Sequence, residues 1–187
     1  MSPEKMVRFT LGGMLFEYDE MKNQKDIQSH GISFKQAARV FFDYDRIELF
    51  DKGHSVEEDR FNVIGNTSAG NLAVIGNLPG TGAGVDDILF VVYTERETVD
   101  EGGRNVDVTR MISARLATSF ERGCIVVNTT ELTEEMRKEL AFSEEDRKTL
   151  ERARSMPITF DEDCPETTPE RALRFRRVNS ARRRAAE

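Results

Sequence analysis

Hydrophobic and polar positions change period several times along the 187-residue chain. Residues 14–18, MLFEY, form a short strand-type run. Asp19 then stands where a helix N-cap is expected, and residues 20–29 read as a polar helix stopped by Gly31. Ser33-Phe34-Lys35-Gln36 is a capping box, and Phe34, Ala37, Ala38 and Phe41 share one face of the helix it opens. From there the period shortens to two. Residues 46–50 and 59–64 are predicted strands, the second with Phe61 and Val63 on one face and Arg60 and Asn62 on the other. Residues 72–76 carry a fainter strand pattern. Residues 88–93, ILFVVY, are continuously apolar, as expected of a central strand covered on both faces. A strand over 107–114 and a helix over 117–126 follow.

After about residue 128 the pattern turns polar. Helices are predicted over 134–141 and 144–154, the second capped by Ser143. Residues 155–168 are extended and acidic. Thr168-Pro169 opens a last helix, with Pro at its first position and a narrow stripe of Ala172, Phe175, Val178 and Ala181. This tail is too polar to build its own core, so it should lie against the first domain or a partner. The expected architecture is α+β: two N-terminal helices packed on an antiparallel sheet in residues 1–128, then a helical arm over 129–187. Two Gly-rich loops, residues 77–84 and 100–105, should join antiparallel strands. Neither has the G-x-x-x-x-G-K-[ST] spacing of a phosphate loop.

Charge adds a second division. The net charge is -7. The deficit is concentrated in residues 131–170, with 13 acidic against 6 basic residues, whereas residues 171–187 hold 7 Arg against one Glu. An acidic stretch followed by a basic end suggests interaction segments, or two solvated helical faces. No run approaches the length of a membrane span and no signal peptide stands out, so the expected location is the cytosol, with Cys124 and Cys164 as reduced thiols. His, Cys and carboxylates do not fall at metal-ligand spacings, and no cofactor motif is present.

Four ordered motifs carry a resemblance. The first is Phe16-Glu17-Tyr18-Asp19, then Lys22-Asn23, then His30-Gly31-Ile32-Ser33-Phe34. The second is Asp51, His54, Glu57, Glu58, Arg60 and Phe61, followed by Ile64-Gly65. Val92-Tyr93-Thr94-Glu95-Arg96 and Arg110-Met111-Ile112-Ser113-Ala114-Arg115, with Glu121-Arg122 after it, complete the set. Over roughly residues 14–125 the chain resembles the BrnT toxins of bacterial toxin–antitoxin pairs, which are RelE-like ribonucleases. It departs from them at Ser29, where the family has Lys, at Asp26, where it has Asn, and at Asn71, near a usual basic residue. Residues 154–168, with Asp161, Glu162, Asp163 and Glu166, resemble the acidic segment of BrnA-type antitoxins.

The resemblance implies metal-independent RNA cleavage, in which a ribose 2′-OH attacks the adjacent phosphate. Arg96, Arg110 and Arg115 are the candidate phosphate-binding groups, because a guanidinium fork stays charged and fits phosphate oxygens. Pairing with Glu95, Glu121 or Glu58 is their alternative role. In one regular strand Arg110 and Arg115, five positions apart, would face opposite sides. His30, His54, Lys22 and Glu17 are candidates for proton transfer or charge stabilisation. Capping for His30 and plain solvation for His54 and Lys22 are the alternatives. Arg60, Phe61 and Tyr93 are candidate RNA contacts, the two rings as stacking platforms or as core. The expected partners are an RNA substrate and either a cognate antitoxin or the chain's own arm, whose acidic residues would cover the arginines. A non-enzymatic alternative is an inactive protein-binding module that tunes antitoxin or DNA occupancy. In that reading the Arg-rich 171–184 segment touches DNA phosphates.

Overall fold

The computed structural model describes residues 5–67, 88–100, 102–125 and 133–179. The strand expected over 72–76, the loop over 77–84, Asn71 and Arg182–Arg184 lie outside them. Chain order is β1 (Met6–Leu11), β2 (Met14–Asp19), α1 (Glu20–His30), α2 (Phe34–Ala37), a 3-10 turn (Ala38–Phe42), β3 (Ile47–Phe50), β4 (Arg60–Asn66), β5 (Ile88–Val99), β6 (Asn105–Leu116) and α3 (Ser119–Gly123). The tail adds α4 (Glu134–Leu140), α5 (Glu144–Ser155), α6 (Pro169–Ala172) and β7 (Arg176–Arg177).

The α+β class holds, but the sheet begins before the helices. A β1–β2 hairpin precedes α1, and the seven strands run in the order β1-β2-β6-β5-β4-β3-β7. The sheet is also not wholly antiparallel, since β2 pairs with β6 in parallel. That pairing covers only Leu15–Glu17 against Val108–Arg110, so β6 would have an open edge beyond it. Helix α1 packs along β6 there. The buried Asp26 carboxylate accepts the Ala114 N–H at 2.7 Å and the Ser113 hydroxyl at 2.9 Å. A side chain thus replaces the missing strand as acceptor.

The predicted caps form. Asp19 accepts the Lys22 N–H, Gly31 closes α1 in the left-handed region, and Ser33 and Gln36 make a reciprocal capping box. Gly31 is required twice over, because its φ is +72° and a Cβ there would stand 2.8 Å from the Ala153 Cβ. The apolar run at 88–93 is the inner end of β5, the middle strand. Both its faces are covered. Leu89, Val91 and Tyr93 join a core with Phe16, Phe34 and Phe41, and Phe90 and Val92 join a second core with Ile64 and Ile112.

The tail shares both cores. Leu140, Phe142, Leu150 and Ala153 complete the first, and Cys164 and Phe175 the second. Buried Arg39 fixes the start of the arm, donating to the Leu140 carbonyl at 2.6 Å and lying 4.5 Å from the Phe142 ring centre. The arm then runs extended beside α1. Thr159 meets His30, Asp161 lies near Lys25, and Asp163 meets Lys22. The last helix is shorter than its stripe predicted. It ends at Ala172, and Arg176–Arg177 pair instead with Ile47–Glu48 as an added edge strand. Phe175 is buried by that turn into the sheet, and Ala181 lies outside the described residues. Helix α3 is likewise shorter than expected. No helix among the described residues is long and apolar enough to cross a membrane.

Candidate functional site

Directly paired residues lay a polar row across one face of the sheet. Arg8 on β1 stands opposite Glu17 on β2, Glu17 opposite Arg110 on β6, Arg110 opposite Thr94 on β5, and Thr94 opposite Arg60 on β4. The row ends at Asp51, whose N–H donates to the Arg60 carbonyl at 2.8 Å. Paired residues on neighbouring strands project to the same face, so these side chains share a surface. Strand β5 sets its polarity: along this face Phe90 and Val92 give way to Thr94 and Arg96.

Acidic and basic groups interlock along the row. Glu17, 5% exposed, accepts from Arg8 Nε at 3.0 Å and lies 3.7 Å from Arg96. Arg96 Nε donates to Glu58 at 2.8 Å. Arg60 donates to Asp163 at 3.1 Å, and Lys22 pairs with the same carboxylate. Burial pushes the Asp163 carboxyl up, but hydrogen bonds and charge from Lys22 and Arg60 outweigh it and hold the group below the usual carboxylate range. Arg110 differs from its neighbours. It borders both the hollow containing Lys22 and Arg60 and the hollow containing Arg8 and Arg96, and it has no hydrogen-bond or ion-pair partner among the described residues.

His54 sits in the turn after β3. Its Nδ1 lies 2.9 Å from Asp51 Oδ2. Ser55 fixes the turn, donating to the Asp51 carbonyl at 2.7 Å and accepting the Arg60 N–H at 2.9 Å. Beside it opens a cleft of about 490 Å³ bordered by His54, Glu57, Glu58, Arg60, Glu162 and Asp163. Burial raises the Asp51 carboxyl, yet hydrogen bonds from His54 and Asn62 and the charge of Arg171 overcome this and leave it lowered. An ionised Asp51 carboxylate can only accept, so this contact favours a proton on His54 Nδ1.

The structure brings Glu17, Lys22, His54, Arg60, Arg96 and Arg110 together with Asp163. It places the other candidates elsewhere. Arg115 does lie on the Arg110 face, contrary to simple alternation, because a bulge at Ile112 lets Arg115 pair with Phe90 while Arg110 pairs with Thr94. However, it sits at the apolar end, 1% exposed, doubly bonded to Glu121 at 2.7 and 2.8 Å. Its guanidinium lies 4.2 Å from the Phe90 ring centre and 5.0 Å from that of Phe160. His30 is buried beneath the arm, with Nδ1 3.3 Å from the Thr159 hydroxyl, and burial lowers its pKa. Phe61 and Tyr93 stack on each other at 5.5 Å, and Tyr93 also meets Phe41 at 4.8 Å, so Tyr93 is core. Of the acidic segment, Asp163 is on the row, Asp161 is 3.9 Å from Lys25, and Glu162 and Glu166 are exposed. In the Arg-rich segment, Arg171 and Arg177 pair internally with Asp51 and Asp45 at 2.6 and 2.8 Å.

Asp51 and Glu58 stand in the second motif, and Glu58 also as an alternative partner for the arginines, but the sequence assigns neither a role in the site. The available signal was the Asp-x-x-His spacing in a turn directly after a strand, which lets a carboxylate orient an imidazole.

Residues 18–79 match the model of the family described as ribonuclease toxin, BrnT, of type II toxin–antitoxin system, the same family the motifs resemble. That stretch contains Lys22, His54, Glu58 and Arg60 of the site, and ends before Arg96, Arg110 and the arm. No curated protein matches the chain.

Proposed function

We propose, taking residues 18–79 as a segment of this ribonuclease-toxin family, that the polar row is an RNA-cleaving site and that the arm restrains it. One observation carries the reading: Lys22 and Arg60 already hold an oxyanion, the Asp163 carboxylate, beside the guanidinium of Arg110, which has no hydrogen-bond or ion-pair partner among the described residues. A backbone phosphate presents the same chemistry to the same donors. When RNA replaces Asp163, Lys22, Arg60 and Arg110 hold the scissile phosphate. The 2′-oxygen forms a bond to phosphorus and loses its proton to a base. The bond to the 5′-oxygen breaks, and that oxygen takes a proton from an acid. His54 and Glu58, both bordering the cleft, serve these two transfers. Glu17 holds Arg8 and Arg96 in place. The products are a 2′,3′-cyclic phosphate and a 5′-hydroxyl. A separate antitoxin is the expected partner in addition to the arm.

The test uses the full chain. Asp161→Asn combined with Asp163→Asn should loosen the arm and raise RNA cleavage above that of the parent, with cyclic-phosphate ends. Adding Arg110→Ala should lower the rate by about a hundredfold. Absence of cleavage by the loosened chain, at stoichiometry where contaminating nuclease is excluded, refutes the enzyme reading.

A further inference from the structure

Asp51 is 7% exposed and is reached from three segments. His54 Nδ1 lies 2.9 Å away, Asn62 Nδ2 donates at 3.2 Å from β4, and Arg171 Nη2 donates at 2.6 Å from the arm. All three meet the same atom, Oδ2. A carboxylate oxygen has about two lone-pair directions, so three donors there compete. Asn62 is fully buried inside β4 and cannot withdraw without breaking the strand. The charged and closest donor is Arg171, which arrives only when the arm is docked.

We infer that Asp51 is a positioning residue that holds His54 in its Nδ1–H tautomer, and that Arg171 weakens this hold by competing for the same oxygen. The arm then acts at two points of the site. Asp163 occupies the cations that would take a phosphate, and Arg171 draws on the carboxylate that orients the imidazole. Withdrawal of the arm frees the cations and tightens His54 onto Asp51 together. The consequence for catalysis rests on the reading of His54 given above, whereas the competition itself does not.

Histidine-selective ¹⁵N labelling of the full chain tests this directly, because the chain has only two histidines. His54→Gln assigns the two signals. At alkaline pH, where imidazoles are neutral, His54 should show a protonated Nδ1 and a bare Nε2. Asp51→Ala should move it toward the Nε2–H tautomer that free imidazole prefers. Arg171→Ala leaves Asp51 and Asn62 in place, so it keeps the test valid if Asp51→Ala fails to fold. It should shift the Nδ1 proton downfield and slow its exchange with water, as the stronger hydrogen bond requires. An Nε2–H tautomer in the parent chain, or an unmoved Nδ1 proton in Arg171→Ala, overturns the inference. If the proton moves as stated while the loosened chain cleaves no RNA, the inference stands and the ribonuclease reading falls.

Discussion

At the scale of single residues, two arginines of one strand and one sheet face have opposite surroundings. Arg115 is enclosed by Glu121, Phe90 and Phe160, and Arg110 stands at the rim of two hollows with no hydrogen-bond or ion-pair partner among the described residues. Removing one member of a buried ion pair leaves the other charge uncompensated, at a cost of about 3–5 kcal/mol. Arg115→Ala should therefore lower the denaturation midpoint steeply. Arg110→Ala should stay within about 0.5 kcal/mol of the parent in the same urea titration, since its guanidinium makes no hydrogen bond or ion pair among the described residues. Equal destabilisation by both would mean that Arg110 has a structural partner. The residue types made both arginines candidates. Their shared face arises from the bulge at Ile112, which nothing in Met111-Ile112-Ser113-Ala114 announces, and their difference from the apolar and polar ends of the strand on which they stand.

At the scale of elements, α1 and β6 depend on one carboxylate. Asp26 is 4% exposed, and burial raises its pKa to about 6, against hydrogen bonds from Ala114 and Ser113 that lower it. The folded state thus keeps the proton longer than the unfolded state, whose carboxyl titrates near 3.8. Stability should fall as pH rises from about 4 to about 6, and the loss is complete above that window. Asp26→Asn retains a carbonyl oxygen able to accept both hydrogen bonds and has no charge to bury. Its melting temperature should exceed the parent's at pH 7, by the equivalent of up to about 3 kcal/mol, and match it near pH 3.5. A pH-independent difference would mean that the carboxyl does not titrate as a buried group. Most elements were legible in the sequence, since the caps at Asp19, Ser33 and Ser143 and the run at 88–93 are local signals. The parallel β2–β6 pairing, the filling of β6's edge by α1 and the β7 strand are contacts between distant segments. Phe175 and Val178 fit a helical stripe, but the open edge of β3 offered Arg176–Arg177 backbone partners that an isolated helix end could not.

At the scale of the whole molecule, the arm divides into an anchor and a strap. The anchor, α4 and α5, supplies Leu140, Phe142, Leu150 and Ala153 to the first core and is tied by Arg39 and by Gln36, which donates to the Asp146 carbonyl at 2.9 Å. The strap, from residue 157 onward, supplies Asp163 and Arg171 to the site and, among the described residues, Cys164 and Phe175 to the second core and the partly buried Ile158 to the first. A chain ending at residue 128 would lose both, and deleting even one buried leucine side chain from a packed core costs about 2–5 kcal/mol. A chain ending at residue 156 keeps the anchor and exposes the cationic row. It should melt well above the 128-residue form and bind single-stranded RNA more tightly than the full chain. That gain should shrink as salt rises, because it comes from phosphate contacts. Calorimetry of the two truncations and RNA titrations at two salt concentrations separate the roles. If the 156-residue form binds RNA no better than the full chain, the strap does not cover the site. If both truncations melt alike, the anchor is not part of the core.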